Sequence, residues 1–141
     1  MTELTLAEAD AIAQGAVDGA TRRGLKAIAV SVLDSGGHPL VVKRQDGATF
    51  FRVDIATAKA WTAVSLAGPS RNFATMATTR PEFVTSVVTI SQGRMAPAAG
   101  GVLVLRDGEI IGSVGVSGDT PDNDEVAALD GVNAAGLTSS E

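Results

Sequence analysis

The stretch from Gly100 to Gly118 constrains this chain more than any other. Gly100-Gly101-Val102-Leu103-Val104-Leu105 and Ile110-Ile111-Gly112-Ser113-Val114-Gly115-Val116-Ser117 are apolar and rich in β-branched residues, with Asp107-Gly108 between them. An Asp-Gly pair tolerates the positive φ angles of a tight two-residue turn, so the stretch reads as a β-hairpin. Gly112, Gly115 and Gly118 lie in and just after its second strand. Glycine weakens a strand interior, so its presence there marks a bulge or a close approach by backbone or ligand.

A second hairpin lies nearer the N-terminus. Ala27–Asp34 is a short apolar run, Ser35-Gly36-Gly37 supplies the turn, and Pro39–Arg44 returns. Pro39 belongs at a strand start, where its missing N–H costs least. Helices flank and separate the hairpins. Thr5-Leu6-Ala7-Glu8 has the form of a capping box, after which Ala9, Ile12, Ala13, Ala16 and Ala20 recur at helical spacing up to Arg22-Arg23-Gly24. A second helix is expected over Arg52–Leu66, stopped by Gly68-Pro69. A short helix is expected from Ser70 through Met76. Pro81–Ile90 is ambiguous between helix and strand, and the favoured reading is short helix followed by loop. Thr120-Pro121 offers an N-cap and an N1 proline for a closing helix that runs to about Gly136. The order is helix, hairpin, helices, about three further strands, helix. This predicts one α/β domain over residues 1–141, of the α+β type, with a mainly antiparallel sheet of about five strands covered by helices. Residues 137–141 are expected to form a flexible tail.

Composition narrows the function classes. Eleven Lys and Arg stand against sixteen Asp and Glu, a formal charge of -5, and only 4% of residues are aromatic. Nucleic-acid binding needs a basic footprint that this chain lacks. The absence of cysteine removes disulfide and thiolate chemistry. The opening residues carry no positive region followed by a long apolar run, and no apolar stretch approaches the ~20 residues of a spanning helix. The expectation is a soluble cytoplasmic protein with no membrane partner.

Several strings resemble the GlcG/HbpS-like family, the haem-degrading or DUF336 domain also related to the C-terminal domain of PduO-type corrinoid adenosyltransferases. They are Leu4-Thr5-Leu6-Ala7-Glu8-Ala9, Ala29–His38, Asp54-Ile55-Ala56-Thr57-Ala58-Lys59-Ala60-Trp61-Thr62-Ala63, Gly108–Gly118, and Asp122-Asn123-Asp124-Glu125-Val126-Ala127. The resemblance spans roughly residues 4–136. It implies a profilin-like three-layer α/β/α fold, homo-oligomers, and ligands of the haem or cobalamin-related class. The stretch from residue 70 to 99 departs from the family pattern and is where ligand choice is expected to be set.

His38 is the single histidine and follows Gly-Gly at a hairpin tip. Three readings stay open for it: a solvated surface residue, an axial ligand to haem iron, or a general acid/base. Asp34 is placed to orient it across the turn. Met1, Met76 and Met95 are the other residues of a haem-ligating type. Arg52 and Arg94 are candidate carboxylate clamps. Lys59 and Thr62 fall on one helical face, with Lys59 read either as a ligand contact or as a surface lysine beside a buried Trp61. Gly115 and Gly118 are candidate ligand-approach positions. Asp119, Asp122 and Asp124 crowd the start of the closing helix and read as capping residues, having neither EF-hand spacing nor a Walker ending beside them. Three functions compete: a haem- or tetrapyrrole-binding domain in a homo-oligomer, a metal-free catabolic enzyme acting on a small organic acid through His38 with Arg52 or Arg94 as anchor, and a non-catalytic oligomeric accessory protein.

Overall fold

The computed structural model describes residues 3–139. The elements in chain order are α1 (Leu6–Arg22), β1 (Ala29–Asp34), β2 (Pro39–Arg44), α2 (Phe51–Leu66), α3 (Ser70–Thr79), α4 (Pro81–Ile90), β3 (Gly101–Arg106), β4 (Glu109–Ser117) and α5 (Pro121–Ala134). The strands form one antiparallel sheet in the order β2-β1-β4-β3. The two hairpins therefore lie side by side, joined through β1 and β4, with Ala29 opposite Ser117 and Asp34 opposite Gly112.

The sheet has four strands where about five were expected. The fifth was counted in the last third of the chain, which forms β3 and β4 alone. Pro81–Ile90, the ambiguous segment, is helical, with Pro81 in the first turn, where its missing N–H costs no hydrogen bond. Asp107 and Gly108 both take positive φ, 51° and 79°, as the two-residue turn of the β3–β4 hairpin demands. The capping box also forms: Thr5 Oγ1 accepts from the Glu8 N–H at 3.1 Å while the Thr5 N–H donates back to Glu8 Oε1 at 3.0 Å.

Alternation along the strands divides the sheet into two unlike faces. Val30, Val32, Val102, Val104, Val114 and Val116 point to one face and join Ile12, Ala13, Ala16, Ala128 and Val132 of α1 and α5 in the main core. The other face carries Ser31, Ser113, Ser117, Gly101 and Gly115, all buried, and α2 lies on it. The Ser113 hydroxyl donates to the Ala60 carbonyl at 2.7 Å. A Cβ at Gly115 would collide with the Ala56 carbonyl, and one at Gly101 with the Lys59 carbonyl. Small residues on this face thus let the helix backbone settle on the strands, completing the three-layer α/β/α arrangement.

A satellite core of Phe73, Val84 and Met95 sits under α3, α4 and the following loop, with Trp61 and Met76 against it. The C-terminal segment is tied down further than expected. Leu137 packs on the main core, and Thr138 exchanges backbone hydrogen bonds with Leu105 at 2.8 and 3.4 Å, so the edge of β3 is partly covered. Ser140 and Glu141 of the expected tail lie outside the described residues, as does Met1. Among the described residues no helix is long and apolar enough to cross a membrane.

Candidate functional site

The β1–β2 turn is organised by Asp34. Its Oδ1 accepts from the backbone N–H groups of Gly36 and His38, both at 2.9 Å, and stands 3.2 Å from His38 Nδ1. Burial raises the Asp34 carboxyl, but the backbone donors and the imidazole outweigh it and hold the group below its ordinary value. Gly37 takes φ 84°, and a Cβ there would stand 2.9 Å from Trp61 Nε1. Glycine thus allows the turn to lie against the α2 tryptophan. The result is a fixed imidazole on a rigid tip. His38 is 77% exposed, and it lines a cleft of about 300 Å³ with Glu3, Leu4, Asp34, Leu40 and Ile111.

With Nδ1 facing the carboxylate, Nε2 has no hydrogen-bond partner among the described residues. The cleft sets the imidazole among polar groups of Glu3, Asp34 and Ser35 and aliphatic side chains of Leu4, Leu40 and Ile111. Arg94 stands beyond Trp61, outside the cleft. Its guanidinium carbon is 4.5 Å from the Trp61 ring centroid and its Nε donates to the Ser91 carbonyl at 2.8 Å.

The other sequence-nominated residues lie elsewhere, in three surroundings. Thr62 is buried and fully engaged: its hydroxyl donates to the Ala58 carbonyl at 2.8 Å and accepts from the Ala96 N–H at 3.0 Å. It fastens the loop before β3 to α2 and offers nothing to a ligand. Gly115 lies in a central strand with the α2 backbone packed on it, and a Cβ at Gly118 would strike the Ala27 carbonyl and Ile28. Both glycines admit protein backbone, so the ligand-approach reading is corrected for each. Lys59 is neither surface nor ligand-facing. It is 3% exposed, and its ammonium donates to Asp124 Oδ2 at 2.9 Å and to the Val116 carbonyl at 3.0 Å. Burial lowers its pKa against the opposing pull of Asp124.

Asp124 is the residue that sequence reasoning misassigned. Expected as a helix cap, it is 1% exposed, pairs with Lys59, and accepts from the Asp119 N–H at 2.8 Å through its other oxygen. Thr120 caps α5, as its place before Pro121 led us to expect, accepting from the Asn123 N–H. Asp119 braces the chain ahead of β1 by accepting from the Lys26 N–H at 2.8 Å. The sequence signal available was a lysine within an otherwise small-residue helix face, which calls for a buried counter-charge.

Arg52 reaches Ser117 Oγ at 3.2 Å. Ser117 is register-paired with Ala29, at the far end of β1 from Asp34, about 17 Å along the strand. His38 and Arg52 therefore do not converge, and one small acid cannot bridge an acid/base at His38 and an anchor at Arg52. Among the described residues no group of three or more His, Asp or Glu is placed to hold a metal ion.

An antiparallel four-stranded sheet between α1/α5 and α2, with a carboxylate-braced histidine at its first turn, defines a small three-layer α/β/α domain. The chain belongs to the family described as haem degrading protein HbpS-like, whose profile matches residues 4–133. An uncharacterized 15.0 kDa protein from the dhaT–dhaS intergenic region of Citrobacter freundii is 34% identical over 89% of this chain and 87% of its own length. The crystal structure of Klebsiella pneumoniae protein ORFY, a DUF336 protein, superposes with a TM-score of 0.87 at 30% identity, covering 96% of this chain and 92% of that one. A crystal structure of a PduOC:haem complex shares the fold with a TM-score of 0.87 at 24% identity, over 99% of both chains.

Proposed function

We propose that this protein is a haem- or tetrapyrrole-binding domain whose iron-ligating residue is His38, acting within a homo-oligomer. The observation that carries this reading is the His38 imidazole, braced by Asp34 through Nδ1 at the edge of a cleft lined by polar and aliphatic side chains. Membership of the HbpS-like family and the haem held by the structurally similar PduOC support the ligand class.

The residues present fit the group in chemistry. A neutral imidazole whose second nitrogen contacts a carboxylate is the usual axial donor to haem iron, with ring orientation set by that carboxylate. Leu4, Leu40 and Ile111 supply apolar surface for one edge of a macrocycle. The volume argues for an assembly: about 300 Å³ is the lower limit of small-molecule sites, so a tetrapyrrole seated here extends past the cleft. A second copy would cover what protrudes. Bound haem would supply a redox-active iron; the chain's own part is to orient the imidazole and wall off one edge of the ring from water.

Titration of the full-length protein with haemin tests this. Saturable growth and shift of the Soret band is expected, largely lost in His38→Ala. In Asp34→Ala, which frees the ring, affinity is expected to fall by roughly 10–100-fold. A Soret shift that survives His38→Ala removes His38 as the ligand, and no saturable shift in the wild type removes the reading. Sedimentation with and without haemin tests the assembly.

A further inference from the structure

The β1–β2 turn is closed by its own hydrogen bonds. The Asp34 N–H donates to the His38 carbonyl at 2.8 Å and the Gly37 N–H to the Asp34 carbonyl at 3.0 Å. Asp34 Oδ1 accepts from the Gly36 and His38 amides. Residues 34–38 therefore move as one stiff unit, His38 included. The joint between this unit and the sheet is less regular. Val32 stands opposite Val41 but Leu33 opposite Pro39, so Leu40, which lines the His38 cleft, is an extra residue on β2. A bulge of this kind bends its strand and leaves the extra residue unpaired, and Pro39 has no N–H to give to the ladder. Strand pairing alone thus leaves the tilt of the turn loosely set.

Trp61 of α2 supplies the missing constraint. A Cβ on Gly37 would stand 2.9 Å from Trp61 Nε1 and 3.0 Å from Cδ1, so the turn backbone rests on the pyrrole edge of the indole with no side chain between them. The indole is itself held in place. The Arg94 guanidinium lies over the ring, its carbon 4.5 Å from the centroid, an attractive stack that the Arg94 Nε bond to the Ser91 carbonyl anchors. Trp61 also packs on the satellite core of Phe73, Val84 and Met95. It does not line the His38 cleft and acts through the Gly37 backbone.

We infer that Trp61 is a positioning residue for His38: its indole edge is the stop that sets the tilt of the β1–β2 turn, and Arg94 holds the indole there. The consequence for haemin affinity rests on the haem reading above; the positioning itself does not.

NMR of the full-length protein without ligand tests the positioning. Trp61→Leu keeps an apolar side chain against the satellite core and removes the indole edge. The amides of residues 35–38 and Leu40 are expected to shift and to broaden through μs–ms exchange, while those of β4 stay as in the wild type. Trp61→Phe, which keeps a flat ring under Arg94, should restore most of the wild-type spectrum, and Arg94→Ala, an exposed position, should give the Trp61→Leu pattern in smaller amplitude. Should the α3 and α4 amides show that Trp61→Leu has lost the satellite core, the Arg94→Ala spectrum decides. Turn amides that keep their wild-type shifts and relaxation, or that change equally in Trp61→Leu and Trp61→Phe, overturn the inference. With haemin, Trp61→Leu should bind about tenfold more weakly, as when the competent orientation falls to about a tenth of the population, and undiminished affinity there likewise overturns it. If the wild type takes up no haemin, or His38→Ala still takes it up, the haem reading fails and the ligand-free spectra alone decide the positioning.

Discussion

Three aspartates near the start of α5 look alike in sequence and have three different partners in space. Asp119 is half-buried and braced by Asn123, Lys26 and Thr120, which pull its carboxyl down to about 2. Asp122 pairs with Arg71 on α3. Asp124 alone is buried, against Lys59. Removing one member of a buried pair leaves the other uncompensated, so Asp124→Ala is expected to cost about 3–5 kcal/mol. Replacing both, as in Lys59→Met with Asp124→Leu, should recover much of that loss. Denaturant melts of Lys59→Met, Asp124→Leu and the double form a cycle, and a double whose loss equals the sum of the two single losses would show that the pair is not coupled. Residue-scale reasoning from sequence placed Asp34 beside His38, and the two are in contact. It could not find Asp124, because a carboxylate's burial is set by packing around it and leaves no local mark.

At the scale of elements, each helix meets the sheet on different terms. α1 is held at its start by Glu8, which serves the capping box and also accepts from Arg106 of β3 at 2.8 and 3.0 Å. The Arg106 hydrogen bond chiefly, with that from the Thr5 backbone, lowers the Glu8 carboxyl from 4.5 to about 2. A folded-state value below the unfolded one stabilises the protein above the unfolded value, and that stability fades as pH falls through the folded value. The stability difference between wild type and Glu8→Gln should therefore be full above pH 4.5 and shrink between 4.5 and about 2. Melts across that range check it, and a constant difference would contradict the ion pair. α2 instead depends on absent side chains. Gly115→Ala forces a methyl against the Ala56 carbonyl, and overpacking of this kind typically costs about 1–3 kcal/mol. Thermal unfolding checks it, and a neutral substitution would mean α2 shifts freely on the strands. The hairpins and helix starts were legible in sequence because turn and cap chemistry is local. Gly115 was legible as a close-approach position, but what approaches it is the α2 backbone at Ala56, remote in sequence.

For the molecule as a whole, stability is unevenly distributed. The main core binds α1, α5 and the sheet through branched aliphatic side chains, whereas α3 and α4 rest on a satellite of three buried residues, Phe73, Val84 and Met95. Local opening draws on the regions with the least buried apolar contact. Backbone amides of α4 should exchange with solvent well before those of β1 and β4, as native-state hydrogen exchange would show; equal protection would make the two cores one unit. This excursion, residues 70–90, carries exposed Phe83 and Ile90. His38 beside the β1–β2 turn and Arg52 beside the end of β4 lie at opposite ends of the sheet.

Capping boxes, Asp-Gly turns, N1 prolines and strand alternation act over a few residues, so the amino-acid order alone determined the two hairpins, the flanking helices and a layered antiparallel fold. Which residues share a site is a matter of register and layering between segments remote in sequence. Only the tertiary structure decided that α2 fills the glycine-lined face, that Lys59 finds Asp124, and that His38 and Arg52 stand apart.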